Sequence, residues 1–234
     1  MAGSSSRRPQ HRGLDTRHKL LLAALHEFAS VGFDAASTRA IAARAGVRQG
    51  QLTYHFDTKD VLWRATVDHL FERFDAEFSA AVGSSSVTGG DDPVAEFEEA
   101  VRALVRVVSR LPELNRVMVH ESTADSDRLT WLVDTHVRPR FEQVSAVWLR
   151  VRDIGGTHLE ADPLVLYYCL LGAASLLYVN ATEARRLAGT DASADIVTDA
   201  LTAAHADTLV AMLLGPRSRR ASRRRTPTVE RSPA

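Results

Sequence analysis

Apolar residues recur at helical spacing along most of the chain, and neither a convincing strand pattern nor an internal repeat is visible. Leu21, Leu25 and Phe28, with Leu20 and Ala24 alongside, mark a first helix that ends at Gly32, and Phe33 follows as an apolar plug. Ser37 or Thr38 suits the N-cap of a second helix, kept short by Gly46. A third short helix is expected from about Gln49 to Phe56. Thr58 then caps a longer fourth helix carrying Leu62, Ala65, Leu70 and Phe74. The stretch from Val82 to Asp92 is rich in Gly and Ser and reads as a linker. Pro93 opens a helix to about Leu111 with Phe97, Val101, Leu104, Val105 and Val108 on one face. A shorter helix over 112–122 and a long one over 125–154, bent near Pro139, come next. Gly155-Gly156 breaks that helix. Asp162-Pro163 starts another that reaches about Leu187, and the last is expected from Ala192 to Leu214.

Composition supports a folded chain: 45% of the 234 residues are apolar. The net charge is zero, but its distribution is uneven. Residues 1–60 carry nine Arg/Lys against five Asp/Glu, and residues 215–234 carry seven against one, so basic ends flank an acidic middle. Where the charge sits, rather than its total, bears on nucleic-acid binding. The single cysteine, Cys169, excludes an intrachain disulfide and reads as a small core residue on an apolar helix. The longest uncharged apolar run, Leu164 to Val179, is short of the roughly 20 residues a membrane span needs. The N-terminus lacks the apolar core of a signal peptide, so a cytoplasmic location and no membrane partner are expected.

The most informative stretch is 37–60, STRAIAARAGVRQGQLTYHFDTKD. Ile41, Ala42, Val47 and Leu52 have the spacing to wedge two short helices together about Gly46, where the chain reverses. The second of these helices is too short to stand without that packing. Its outward residues, Arg48, Gln49, Gly50, Gln51 and Thr53, suit the base edges of a major groove: Gln pairs with adenine, Arg with guanine, and a Thr methyl touches thymine. Thr38 and Arg39 at the preceding helix, with Tyr54, His55 and Lys59 beyond, are candidates to hold phosphates on either side.

These residues carry a resemblance. Phe28, Gly32-Phe33, Ser37-Thr38, Ile41-Ala42, Ala45-Gly46-Val47, Gly50, Leu52, Tyr54-His55-Phe56 and Lys59 make residues 14–80 resemble the N-terminal domain of the TetR family of transcriptional regulators. The resemblance implies an all-α chain. An N-terminal three-helix DNA-binding head with a helix-turn-helix is joined by a fourth helix to a C-terminal helical regulatory and dimerisation body. It further implies a homodimer on a palindromic operator of double-stranded DNA, released by a small-molecule effector. The domains expected are a disordered basic arm (1–13), the head (14–60), the ligand-binding and dimerisation domain (61–214) and a disordered Arg-rich tail (215–234). Arg48 departs from the Ser or Thr that commonly caps the recognition helix, and Thr53 stands where a phosphate-contacting Tyr is common.

The helix from Leu164 to Val179 is apolar nearly all round and must be buried on most faces. One face can join the body's core and the other a second copy, so helices near 162–187 and 192–214 are expected to form a four-helix dimer bundle. Met118, Trp131, Phe141, Trp148, Tyr167, Tyr168 and Tyr178 are the candidate lining of an apolar ligand cavity, each also readable as plain core. Along an unbroken helix Trp131 and Trp148 would stand about 25 Å apart, too far for one small pocket. His136 and Arg138 are weaker candidates to meet an acidic ligand. No phosphate loop, nucleophile elbow or metal-ligand spacing is present, so no cofactor, metal or catalytic residue is assigned. An enzyme is not expected. The competing readings are a DNA-binding activator or ligand-independent regulator and, further off, a helical enzyme or carrier acting on a small apolar molecule.

Overall fold

A computed structural model describes residues 7–82, 92–189 and 197–215, with side chains from Leu14 onward. The expected linker tip, the start of the last helix before residue 197 and the Arg-rich tail lie outside the described residues. Every regular element among the described residues is helical: α1 (Arg7–Ala35), α2 (Thr38–Arg44), α3 (Gln49–His55), α4 (Lys59–Val82), α5 (Pro93–Arg110), α6 (Pro112–Glu121), α7 (Asp127–Leu132), a π-helical turn (Val133–Val137), α8 (Arg138–Asp153), α9 (Pro163–Val179), α10 (Ala181–Leu187) and α11 (Asp199–Leu214).

Polar residues cap the starts of five helices, α2, α4, α5, α9 and α11. Ser37 Oγ accepts from the Ala40 N–H at 3.4 Å, Thr58 Oγ1 from Val61 at 3.1 Å, Asp92 Oδ1 from Val94 at 3.1 Å, Asp162 Oδ1 from Leu164 at 2.8 Å and Thr198 Oγ1 from Leu201 at 3.1 Å. The first helix starts earlier than its apolar pattern suggests, because Pro9 stands in the first turn, where its missing N–H has no intrahelical acceptor. Residues 7–13, expected in a disordered arm, are therefore helical. Gly32 breaks this helix with φ +74°, as expected of it.

Three further differences have local causes. The single long helix expected over 125–154 is divided into α7, the π turn and α8. Pro139, at the second position of α8, supplies no N–H to the preceding turn, and the backbone there widens to the longer π repeat. The helix expected to reach residue 187 ends at Val179, and α10 continues at 72° after Asn180, whose φ of −98° and ψ of 29° are not helical. Cys169, expected in the core, is exposed. Because α9 is apolar all round, its pattern does not say which side faces inward.

The chain divides into two compact units, residues 1–76 with 111–132, and residues 77–110 with 133–234. The boundary expected after residue 60 falls inside α4, and residues 111–132, expected in the body, cluster with the head because α6 packs along α1. In the first unit the core is built from Leu20, Ala24, Phe28, Ile41, Leu52, Phe56, Leu62 and Trp63. In the second, Val101, Val105, Trp148, Val151, Leu166 and Val210 lie inside, and Phe97 packs at a tilt against Trp148 with ring centres 5.4 Å apart. Arg102 joins α5 to α11 through Asp207 at 2.7 Å, and Arg150 joins α8 to α5 through Glu96 at 2.9 Å. No single helix among the described residues is long and apolar enough to cross a membrane. The pair α9 and α10 reaches the composition only together, across their bend.

Candidate nucleic-acid interface

The interface is built on two seven-residue helices. Neither would persist alone at that length. Ile41 and Ala42 of α2 and Leu52 of α3 are 0–3% exposed and meet over the core beneath, which fixes the angle between the helices. Gly46 has φ +69°, a conformation that a side chain disfavours, and it reverses the chain between them.

What α3 leaves uncovered is polar. Arg48, Gln49, Gly50, Gln51, Thr53 and Tyr54 are exposed, Tyr54 at 84%, and Arg39 is exposed on α2. A Cβ at Gly50 would meet nothing within 4 Å, so no neighbour in the chain demands glycine there. The absent side chain leaves room for a partner to approach the backbone. Gln49 Nε2 donates to Thr38 Oγ1 at 3.2 Å and couples the start of α2 to the start of α3. Thr53 Oγ1 donates to the Gln49 carbonyl at 3.2 Å, which turns the hydroxyl back onto its own helix. Tyr54 and His55 stand edge to face at 5.2 Å.

Two site residues have duties that sequence reasoning missed. Arg48 makes no side-chain capping bond. The role falls to Gln51, whose Oε1 accepts the Arg48 N–H at 3.2 Å. Gln51 is therefore a cap as well as a candidate base reader. Lys59, expected as a phosphate contact, sends its ammonium to the carbonyls of Asp34 at 3.2 Å and Ala36 at 3.1 Å and lies 4.5 Å from the Phe33 ring centre. It ties the end of α1 to the start of α4, and at most one of its three N–H groups is left for DNA. No local pattern could have announced this, because its acceptors lie 23 and 25 residues upstream. Arg17 was likewise missed; its guanidinium lies 5.4 Å from the ring of Phe56 at the end of α3.

Residues 20–66 match the family model described as bacterial regulatory proteins, tetR family. This is the DNA-binding head of a TetR-family regulator. TetR-family proteins are DNA-binding transcriptional regulators rather than enzymes. None of the curated proteins compared matches the sequence. Solved structures share the fold. AibR in complex with isovaleryl coenzyme A and operator DNA has a TM-score of 0.65 at 17% identity, covering 86% of this chain and 99% of its own. The ketosteroid regulator KstR2 of Mycobacterium tuberculosis has a TM-score of 0.63 at 15% identity, covering 91% and 98%. The fatty acid degradation regulator FadR from Bacillus halodurans has a TM-score of 0.57 at 14% identity, covering 89% and 97%.

The seven candidate ligand-lining residues of this TetR-family chain are divided between the two units. Met118 and Trp131 belong to the first unit, where Trp131 packs on Trp63 at 5.6 Å with Arg64 4.9 Å from its ring centre. Trp148 is wholly buried and donates its indole N–H to the Ala161 carbonyl at 3.0 Å, as a core residue does. Tyr178 hydrogen-bonds His205 at 3.0 Å, and burial raises its pKa. Tyr168 is 66% exposed. Phe141 and Tyr167 pack edge to face at 5.4 Å between α8 and α9. Of the weaker pair, His136 is buried in the π turn and Arg138 pairs with Asp134 at 2.9 Å. Among the described residues no group of three or more His, Cys, Asp or Glu is placed to hold a metal.

Proposed function

We propose that this TetR-family regulator is a cytoplasmic repressor that binds a palindromic operator as a homodimer and leaves it when a small, largely apolar ligand binds the second unit. The observation that carries the reading is the uncovered face of α3: five polar side chains around one glycine, on a helix held in place by a single buried leucine. Arg48, Gln49 and Gln51 are the base readers in this scheme, with the Thr53 methyl beside them and Gly50 allowing close approach. Thr38, Arg39, Tyr54 and His55 hold the phosphates, and Lys59 contributes mainly by holding the head together.

Pairing is supported by the outward side of the second unit. Leu164, Val165, Tyr168 and Leu176 of α9 are 52–66% exposed, and Leu201 and Met212 of α11 add 38% and 62%. Apolar surface of this kind favours burial against a second copy, and α9 with α11 from two chains makes a four-helix bundle. For the effector, Phe141 and Tyr167 are the best-placed of the candidates. The complex of AibR with isovaleryl coenzyme A makes acyl thioesters and fatty acids the first compounds to try.

The test is selection of duplexes from a random pool, followed by gel shifts on the selected sequence with isovaleryl coenzyme A and fatty acids added. A two-fold symmetric operator, bound by a dimer and released by one of these compounds, is the expected result. A selected operator bound in a ligand-independent way would favour an activator or constitutive regulator. No preference over scrambled duplex, with the fold intact, would sink the proposal.

A further inference from the structure

Residues 111–132 form a segment of the first unit whose two ends continue into the second, through α5 before it and the π turn after it. Its side chains converge on one place in the head, the turn between α1 and α2. The His120 ring comes within 3.2 Å of where a Cβ on Gly32 would stand. The Arg128 guanidinium lies 3.7 Å from the centre of the Phe33 ring. Its Nε donates to Glu121 Oε2 at 3.2 Å, a carboxylate only 4% exposed. Burial raises the pKa of Glu121 and the Arg128 charge opposes that, so the anion and the cation each hold the other in place.

From Phe33 the contacts run on toward the reading helix. Lys59 lies 4.5 Å from the same ring and binds the carbonyls of Asp34 and Ala36, the two residues flanking Ala35. Ala36 adjoins Ser37, the cap of α2. Thr38 follows and accepts the hydrogen bond from Gln49 on α3. An aromatic ring sharing two cations is an arrangement that packing alone does not require, since two like charges repel unless each has its own anion or carbonyls, as they do here.

We propose that Arg128 is a positioning residue for operator recognition. Its stack on Phe33, held by Glu121, sets the α1–α2 turn and through Lys59 and Thr38 the presentation of Gln49. The inference rests on the function proposed above and adds a residue that positions its reading helix. The ends of α2 and α3, and not their stability, are what these contacts control. Loss of Arg128 therefore lowers the preference for operator over other DNA while leaving general attraction to the duplex intact.

The experiment compares the full-length protein with Arg128→Gln, Arg128→Lys, Phe33→Leu and the double variant R128Q/F33L, each titrated on a selected operator and on scrambled duplex. Arg128→Gln and Phe33→Leu should each weaken operator binding about tenfold, with scrambled-duplex affinity unchanged, and the double variant should lose no more than the larger single loss. Arg128→Lys, which keeps the charge over the ring, should restore most of the affinity. Equal loss on both duplexes, additive losses, or wild-type operator affinity in folded Arg128→Gln overturns the inference. Should Arg128→Gln fail to fold, Phe33→Leu and Arg128→Lys are read by the same operator-to-scrambled ratio, and an unchanged ratio in folded Phe33→Leu overturns it. If the wild-type protein prefers no duplex at all, the proposed function fails first, and that result is distinguishable from a preference that these variants leave untouched.

Discussion

The helices α3 and α9 each leave one side uncovered by their own chain, and the two sides are chemical opposites. The seven residues of α3 bury Leu52 and present Gln49, Gly50, Gln51, Thr53 and Tyr54. The seventeen residues of α9 bury Leu166, Tyr167, Leu170, Ala174 and Tyr178 and present Leu164, Val165, Tyr168 and Leu176. A polar side is at ease in water, so its exposure creates no thermodynamic demand for a partner. Its meaning comes from geometry, a short reading helix pinned across another. An apolar side is different: every Å² withdrawn from water contributes roughly 25 cal/mol, so the exposed side of α9 favours the proposed pairing whether or not DNA is present. In the function proposed, the comparison separates a surface that recognises from a surface that assembles.

The sharpest way to break it is to charge the assembling side. Leu176→Arg places a cation on the outward face of α9, toward its C-terminal end, where a second copy would have to desolvate it. Sedimentation should show a monomer, and operator affinity should fall by about a hundredfold or more, because two linked half-site contacts become one. A persistent dimer would mean that α9 meets something else. The complementary variant is Ile41→Ala, which empties a wholly buried site under α2. It should destabilise the head by about 2–5 kcal/mol in thermal unfolding and abolish operator binding while the dimer remains. Simultaneous loss of the dimer would show that the two surfaces are not independent.

How much of this was readable beforehand depended on whether the determinants were local. Caps and stops are local: Thr58 and Asp162 accept from N–H groups two or three positions on, and Gly32 breaks α1, all as their positions suggested. The helix-turn-helix was readable for the same reason, with Ile41, Ala42, Leu52 and Gly46 all within a dozen positions. Distant partners were not. The bonds of Lys59 to Asp34 and Ala36, and the stacking of Arg128 on Phe33 across 95 positions of chain, leave no mark in any window. The outward placement of Cys169 was hidden by uniformity, since an evenly apolar helix carries no phase. The π turn lay in plain view at Pro139, yet a kink and a widened turn are both ways to absorb a missing N–H, and the sequence does not choose between them.

The recognising side can be sharpened further by separating base readers from phosphate holders. Gln49→Ala should relax discrimination at one base pair of each half-site, by about 1–3 kcal/mol against the wrong base, when affinities are measured over a set of single-base operator variants. Tyr54→Ala should weaken all those duplexes alike, by a smaller amount, because the proposed function assigns its exposed ring to the backbone rather than the bases. If Gln49→Ala acts uniformly instead, its bond to Thr38 is its main duty and the base readers lie elsewhere on α3.

The smallest effect expected is one of pH, and it bears on how firmly the recognising side is held. His69 of α4 faces α1, with His18 edge to face at 5.3 Å, Arg17 and Arg73 nearby and Glu72 at 3.8 Å from Nδ1. Burial lowers its pKa below the ordinary 6.5, and the positive charges of His18, Arg73 and Arg17 lower it further against the opposing pull of Glu72. The unfolded chain thus takes up this proton more readily than the folded one. Stability from His69 is complete above about pH 6.5, declines as the pH falls below that value, and levels off beneath the lowered folded pKa. With nine histidines in the chain, the measurement is a difference: the thermal stability of wild type minus that of His69→Gln, followed from neutral to acidic pH. The difference should shift in favour of the variant as the pH falls. A pH-independent difference would mean that His69 is solvated in solution and that α1 and α4 part more easily there than their packing implies.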